Sequence, residues 1–261
     1  MTRIFSAIVL IPVVLGAIWF APHWGLILLI EAVLAAAVIE YAALAEKSGV
    51  PVPRVATIAA AAVVCFAVAW PGVPLDLILV AVLLDGSVSV LAAYQPAAHV
   101  PATAAATFFP VLYLGVPLGA LAALRGAYGR EALLLVLLVV WASDTAQFYT
   151  GTLLGKHRLS PTISPKKSVE GAIGGFVAGI TLTIVLGRLW LPQFDLFRLA
   201  ILGAVLVALG ITGDLFESLL KRSANIKDSS GLIPGHGGVL DRIDALLFAV
   251  PGFYLFVRLL A

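Results

Sequence analysis

Charge is scarce in this chain of 261 residues. Asp, Glu, Lys and Arg make up only 11% of it, against about 25% in ordinary soluble domains. Cysteine is nearly absent. The single Cys65 excludes an intramolecular disulfide and any cysteine-rich metal centre. Internal repeats and low-complexity tails are missing as well, so repeat arrays and disordered linkers are set aside. What fills the chain is apolar: 62% of residues are hydrophobic. A soluble fold of this length cannot hide that much apolar surface, and several runs reach the ~20 residues a bilayer span requires. The expected fold class is all-α, a polytopic integral membrane protein.

Apolar runs separated by polar breaks give about nine transmembrane helices, at 4–21, 24–45, 54–70, 75–94, 101–124, 131–150, 169–190, 196–218 and 239–260. The first begins after Met1-Thr2-Arg3 and resembles a signal sequence. It lacks a small-residue cleavage site and is long for one, so it reads as a retained span. With nine spans, 11 of the 16 Lys and Arg fall on the side shared by the N-terminus and the even-numbered loops. That bias places the N-terminus in the cytoplasm, as in a protein of the inner (plasma) membrane. Pro12, Pro110, Pro117 and Pro251 lie inside spans and are expected to kink or unwind them. Gly171, Gly175 and Gly179 follow the small-x-x-x-small spacing of closely packed helices.

The few charges are unevenly placed. Residues 1–125 read as helices that pack and face lipid; residues 126–261 read as helices that also carry a site at their cytoplasmic ends. On the eighth span Asp214, Ser218 and Lys221 stand at i, i+4 and i+7, on one helix face, with Glu217 beside them. An acid, a hydroxyl and an amine in that order can hold a metal ion and a phosphate; a local salt bridge of Asp214 or Glu217 with Lys221 is the plainer alternative. Arg222, Lys227 and Asp228 follow, then the turn Pro234-Gly-His-Gly-Gly238, in which His236 sits among glycines. Glycine-rich backbone can approach phosphate oxygens closely, which makes Gly237 and Gly238 substrate-binding candidates. Asp241, Arg242 and Asp244 open the last span. Two carboxylates one turn apart can share Mg²⁺, although acids at a helix N-terminus also suit its dipole.

A second cluster lies earlier. Ser143, Asp144 and Gln147 interrupt an apolar helix, Asp144 and Gln147 sharing a face. The run Gly151 to His157 lacks the spacing and the Ser/Thr of a P-loop. Ser164-Pro-Lys-Lys-Ser-Val-Glu-Gly171 follows, with Lys166 and Lys167 as phosphate ligands or simple topology signals and Glu170 at a helix start. Glu40, near the cytoplasmic boundary of the second span, is a possible contributor to the polar site; Glu31 has no evident role.

The segment from Ser218 to Asp244 resembles the signature of the phosphatidate cytidylyltransferase (CDP-diacylglycerol synthase) family. The pattern S-x-apolar-K-R, K-D, a small residue, an apolar residue with Pro or Gly, H-G-G and D-R-x-D is met at Ser218, Lys221, Arg222, Lys227, Asp228, Ser230, Ile233, Pro234, His236, Gly237, Gly238, Asp241, Arg242 and Asp244. The DTAQF and SPKKSVEG stretches look like further family motifs. The resemblance implies CMP transfer from CTP to phosphatidate with release of pyrophosphate. It also implies a Mg²⁺ cofactor with a second cation, K⁺ being one candidate, a lipid bilayer as surroundings and a homodimer. Nucleic acid is not an expected partner. On this reading Asp144, Asp214, Asp241 and Asp244 are metal ligands, and Lys166, Lys167, Lys221, Arg222, Lys227 and Arg242 grip phosphates. An ion-coupled transporter, or a cytidylyltransferase for another membrane phosphate, are the competing classes.

Overall fold

The computed structural model describes residues 12–93, 99–232 and 237–260. Residues 12–20 are helical. Then come α1 (His23–Lys47), α2 (Arg54–Ala69), α3 (Leu75–Ala92), α4 (Val100–Pro110), a π-helical turn at Val111–Gly115 and α5 (Val116–Leu154). A short ribbon of β1 (Arg158–Ser160) and β2 (Ser164–Ser168) leads into α6 (Val169–Trp190), α7 (Leu196–Ser223), α8 (Leu240–Ile243) and α9 (Leu246–Leu260). Six helical stretches among the described residues are long and apolar enough to cross a membrane: His23–Lys47, Leu75–Ala92, Val100–Leu154, Val169–Trp190, Leu196–Ser223 and Leu240–Leu260. The architecture is that of a polytopic helical membrane protein.

Three features differ from the sequence expectation. The runs 101–124 and 131–150 form one helical stretch, Val100–Leu154, interrupted where Gly129 takes φ 85° and ψ 173°. The run 54–70 becomes the 16-residue α2, shorter than a full span. The antiparallel β1–β2 ribbon, pairing Arg158 with Ser168 and Ser160 with Ser164, was not anticipated, because strands of three and five residues leave no readable periodicity. Of the expected first span, residues 4–11 lie outside the described residues.

The chain forms two compact units, Met1–Gly126 with Ser223–Ile243, and Ala127–Arg222 with Asp244–Ala261. In the first, α2 is a packing centre. Its small residues let the π turn come close: a Cβ on Gly115 would stand 2.8 Å from the Ala61 carbonyl oxygen. Ala60 and Val64 of α2, Val82 of α3 and Val111 of the π turn share a core. The turn is flanked by Pro110 and Pro117. Proline has no amide proton and its ring crowds the preceding turn, so the backbone between the two widens instead of keeping the α pattern.

In the second unit the glycine stripe does what its spacing suggests. Gly171, Gly175, Gly179, Thr183 and Gly187 are the buried face of α6. A Cβ on Gly175 would stand 3.1 Å from Ser143 Oγ of α5, and one on Gly203 of α7 would stand 2.8 Å from the Ile180 Cα. Small residues thus bring α5, α6 and α7 together closely enough for their polar ends to meet. Pro251 sits inside α9 without ending it.

Gly129 is the residue on which the helical interruption depends, since an L side chain is strained at positive φ. Gly129→Ala should lower stability by about 1–2 kcal/mol, measured as a lower thermal midpoint of the detergent-solubilised protein. An unchanged midpoint would show that the interruption does not need glycine.

Candidate functional site

The first unit holds a carboxylate cluster around the signature loop. Glu40, near the end of α1, is only 4% exposed. A buried carboxylate needs donors, and Glu40 receives four. Ser230 Oγ (2.6 Å) and the Val239 amide (2.9 Å) donate to Oε1; Ser229 Oγ (3.0 Å) and the Leu240 amide (2.8 Å) donate to Oε2. Asp241 is close by. Its Oδ2 accepts from the Ser229 amide at 2.9 Å, the Ser229 hydroxyl at 2.8 Å and the Gly238 amide at 2.8 Å. The Ser229 hydroxyl has one proton for two carboxylates, so it can serve only one at a time.

The two glycines of the signature are explained by this crowding. Gly237 has φ 81°, and a Cβ there would stand 2.7 Å from Asp241 Oδ2; at Gly238 a Cβ would overlap the Ser229 hydroxyl and the Glu40 carboxylate. Lys227, Asp228 and Arg242 are exposed around the loop. His236 lies outside the described residues, as do Ile233 and Pro234.

The second unit holds the other cluster. Lys167 on β2 makes an ion pair with Asp214 on α7, Nζ to Oδ2 at 2.5 Å. Ser218 Oγ, one turn further along α7, donates to Asp214 Oδ1 at 3.3 Å. On α5, Gln147 Nε2 donates to Asp144 Oδ1 at 3.2 Å and to Ser143 Oγ at 3.1 Å. Asp144 lies within the field of the Asp214 and Lys167 charges. Asp244 feels the charges of Asp214, Asp144 and Lys221, and its Oδ1 accepts from the Ala245 amide at 2.8 Å. Three aspartates from three segments therefore form one negative centre with lysines at its edge. Lys221 is bound to Glu217, which is fully buried. Of the two local salt bridges weighed from sequence the one from Glu217 exists, while Asp214 pairs with Lys167.

The SPKKSVEG stretch becomes β2 and the first turn of α6. Lys166 is exposed and Lys167 half-buried, as expected of neighbours on a strand. Ser168 caps α6, accepting from the Gly171 amide at 3.1 Å. Both Glu170 oxygens are engaged: the Lys156 amide (3.0 Å) and the His157 amide donate to Oε2, and His157 Nδ1 lies 2.6 Å from Oε1. Glu170 thereby ties the turn before β1 to the start of α6. Arg222 is exposed at the end of α7.

Asp241 and Asp244 do not sit on one continuous helix. Asp241 belongs to α8, while Asp244 and Ala245 form a turn before α9. As the described chain stands, no three His, Cys, Asp or Glu side chains converge tightly enough to hold a metal ion unaided. Mg²⁺ rarely needs such a cage. It is usually bound by one or two carboxylates together with substrate phosphates and water, and Asp144, Asp214 and Asp244 are donors of that kind.

Sequence reasoning undervalued Glu40 and missed Ser229 as its partner, as well as the His157–Glu170 pair. The only warning was a carboxylate in an apolar helix without a local donor. Glu40→Gln would turn an acceptor into a donor facing a loop donor. We expect a cost on the order of 2–3 kcal/mol and faster amide exchange at Val239 and Leu240, read by hydrogen-exchange mass spectrometry. Unaltered exchange would remove Glu40 from the loop's support.

The chain is similar to several curated proteins named phosphatidate cytidylyltransferase. That of Haemophilus influenzae is 43% identical over 133 residues, 49% of this chain and 46% of that protein. That of Helicobacter pylori is 41% identical over 184 residues, 70% of this chain and 65% of the relative. That of Thermotoga maritima is 43% identical over 138 residues, 51% of each. In all three the match spans less than two thirds of the relative's own length. A family model described as the Cytidylyltransferase family matches residues 1–260, and by that match this chain belongs to the Cytidylyltransferase family.

Proposed function

We propose that this protein transfers CMP from CTP to phosphatidate, giving CDP-diacylglycerol and pyrophosphate. The observation that carries the reading is the negative centre of Asp144, Asp214 and Asp244, edged by Lys167, at the polar ends of apolar helices. Ionisable groups are kept in such surroundings for function. Family membership and the phosphatidate cytidylyltransferase relatives favour this reaction over ion-coupled transport. A different membrane phosphate as acceptor is the nearest alternative.

In the proposed reaction a phosphatidate phosphate oxygen forms a bond to the α-phosphorus of CTP. The α–β phosphoanhydride bond breaks and pyrophosphate leaves with its electron pair. Both reactants are anions, so repulsion is the main barrier, and positioning with charge neutralisation lowers it. Lys167, braced by Asp214, and exposed Lys166 would take phosphate oxygens; Arg222, Lys227 and Arg242 add positive charge near the signature loop. Lys221 is held by Glu217 and acts on Asp244 through its charge. Asp144, Asp214 and Asp244 would hold magnesium, with Ser218 keeping Asp214 oriented. When bound, magnesium supplies positive charge against phosphate oxygens and lowers their mutual repulsion. We assign Asp241, with Glu40, Ser229, Gly237 and Gly238, to shaping the signature loop, and Glu170 to anchoring the β1–β2 ribbon.

We also infer nine spans, with the N-terminus and the site on the cytoplasmic side of the inner membrane. Splitting Val100–Leu154 at Gly129 and counting α2 and the helix ending at residue 20 supports that number. A homodimer is the assembly we expect.

Purified protein given labelled CTP, phosphatidate and Mg²⁺ should form labelled CDP-diacylglycerol, and chelation should stop it. Product only with a polyprenyl phosphate would move the substrate to the alternative; no transfer to any lipid would overturn the reading. Asp214→Asn should reduce transfer at least 100-fold while the protein still purifies and folds. Full activity in that variant would refute the site assignment.

A further inference from the structure

The hairpin between α5 and α6 carries more positive charge than its own contacts use. From Gly155 to Glu170 it holds Lys156, Arg158, Lys166 and Lys167 against one acid, Glu170. Lys167 is committed to Asp214, and Glu170 to the Lys156 and His157 amides and the His157 ring. Lys156, Arg158 and Lys166 are exposed, and among the described residues no acidic side chain pairs with them.

The ribbon gathers these three cations. Arg158 pairs across it with Ser168, two residues from Lys166. Neighbouring strands lie about 5 Å apart and two strand residues cover about 6.6 Å, so the long arms of Arg158 and Lys166 can meet on one phosphate. From Ser164 to Ser168 β2 takes four steps where β1 takes two, so β2 bulges. Lys166 and Lys167 lie on that bulge and diverge, Lys167 to Asp214 and Lys166 to the exterior.

The surroundings of the hairpin are those of a bilayer surface. It joins two helical stretches long and apolar enough to cross a membrane, Val100–Leu154 and Val169–Trp190. The last two turns of α5 expose Phe148, Tyr149, Leu153 and Leu154, directly before Lys156, and Val169 at the start of α6 is exposed as well. Aromatic and aliphatic side chains with lysine and arginine beyond them are the composition of a lipid–water boundary. We propose that Lys156, Arg158 and Lys166 form a docking surface for the headgroup phosphates of anionic phospholipids in the adjoining leaflet.

A lipid surface fits this charge better than a nucleotide does. A polyphosphate held by a turn draws on backbone amides, and here the consecutive amides of Lys156 and His157 are filled by Glu170. What remains is long, mobile-headed cations beside apolar side chains, which suits the spread negative charge of headgroups. The phosphate oxygens that Lys166 takes are then those of lipid. The proposal goes beyond the reaction assigned above, since it concerns every anionic lipid next to the ribbon and not the reacting one alone.

The test uses the full-length protein in detergent, titrated with phosphatidylglycerol or with phosphatidylcholine of the same chains and read by native mass spectrometry. Phosphatidylglycerol should be retained several-fold more, and the preference should fade as ammonium acetate rises from about 0.1 M to about 1 M. The double variant Lys156→Gln, Arg158→Gln should lose phosphatidylglycerol retention by about fivefold per side chain, with phosphatidylcholine retention and CTP affinity unaltered. Should the double variant fail to fold, Arg158→Gln alone, with about a fivefold loss, decides. Equal retention of both lipids by the wild type, or an unaltered preference in the variant, would overturn the proposal. So would a loss of CTP affinity with the lipid preference intact, which would give these side chains to the nucleotide. Turnover is not read, so a failure to transfer CMP would sink the reaction assignment and leave this surface standing.

Discussion

A carboxylate in an apolar protein must be compensated by groups the protein itself supplies, and that constraint organises both units. The chain has 14 acidic residues, and those in the two clusters come with identifiable partners. Glu40 draws on two amides and the Ser230 hydroxyl, Asp241 on two amides, and the Ser229 hydroxyl is shared between them. Asp214 takes an ammonium and a hydroxyl, and Glu217 takes an ammonium. Each bond costs the ordering of its donor; for Glu40 and Asp241 the donors come from the signature loop and the first residue of α8, and for Asp144, Asp214 and Glu217 from the ribbon and from α5 and α7 themselves. Polar chemistry here follows from packing, because glycine and alanine bring the helices close enough for short side chains to meet.

The two clusters differ in kind. Around Glu40 and Asp241 the negative charge is met mostly by backbone amides and neutral hydroxyls, an arrangement that fixes a loop in one shape. Around Asp144, Asp214 and Asp244 it is met by few donors and lies beside the ammonium groups of Lys167 and Lys221. Three like charges near one another are unfavourable without added positive charge. A rigid acidic nest and an under-neutralised one are what loop support and cation-dependent phosphate chemistry respectively require.

Much of this was legible in the sequence. The alignment of Asp214 and Ser218 follows from their spacing of four, and Gln147 meets Asp144 as their spacing of three suggests. The glycine spacing of α6 foretold its buried face. What could not be read were pairings set by the fold alone. Glu40 meets Ser229 across 189 residues of sequence, and Lys167 meets Asp214 through a ribbon too short to leave a pattern. The turn at Asp244–Ala245 was hidden because neither glycine nor proline marks it and an apolar run follows directly. The spacing that puts Lys221 on the face of Asp214 also puts it four residues after Glu217, and in the fold it pairs with Glu217.

The contact between Glu40 and the signature loop has a bearing on how such proteins diversify. The helices before residue 126 look interchangeable, a filling of alanine, valine and leucine that drift could rewrite at will. Yet one of them carries the acid on which a distant motif rests. A chimera that swapped the early helices for equally greasy ones lacking that acid would keep every letter of its motif and leave Asp241 alone among the two carboxylates that gather the loop.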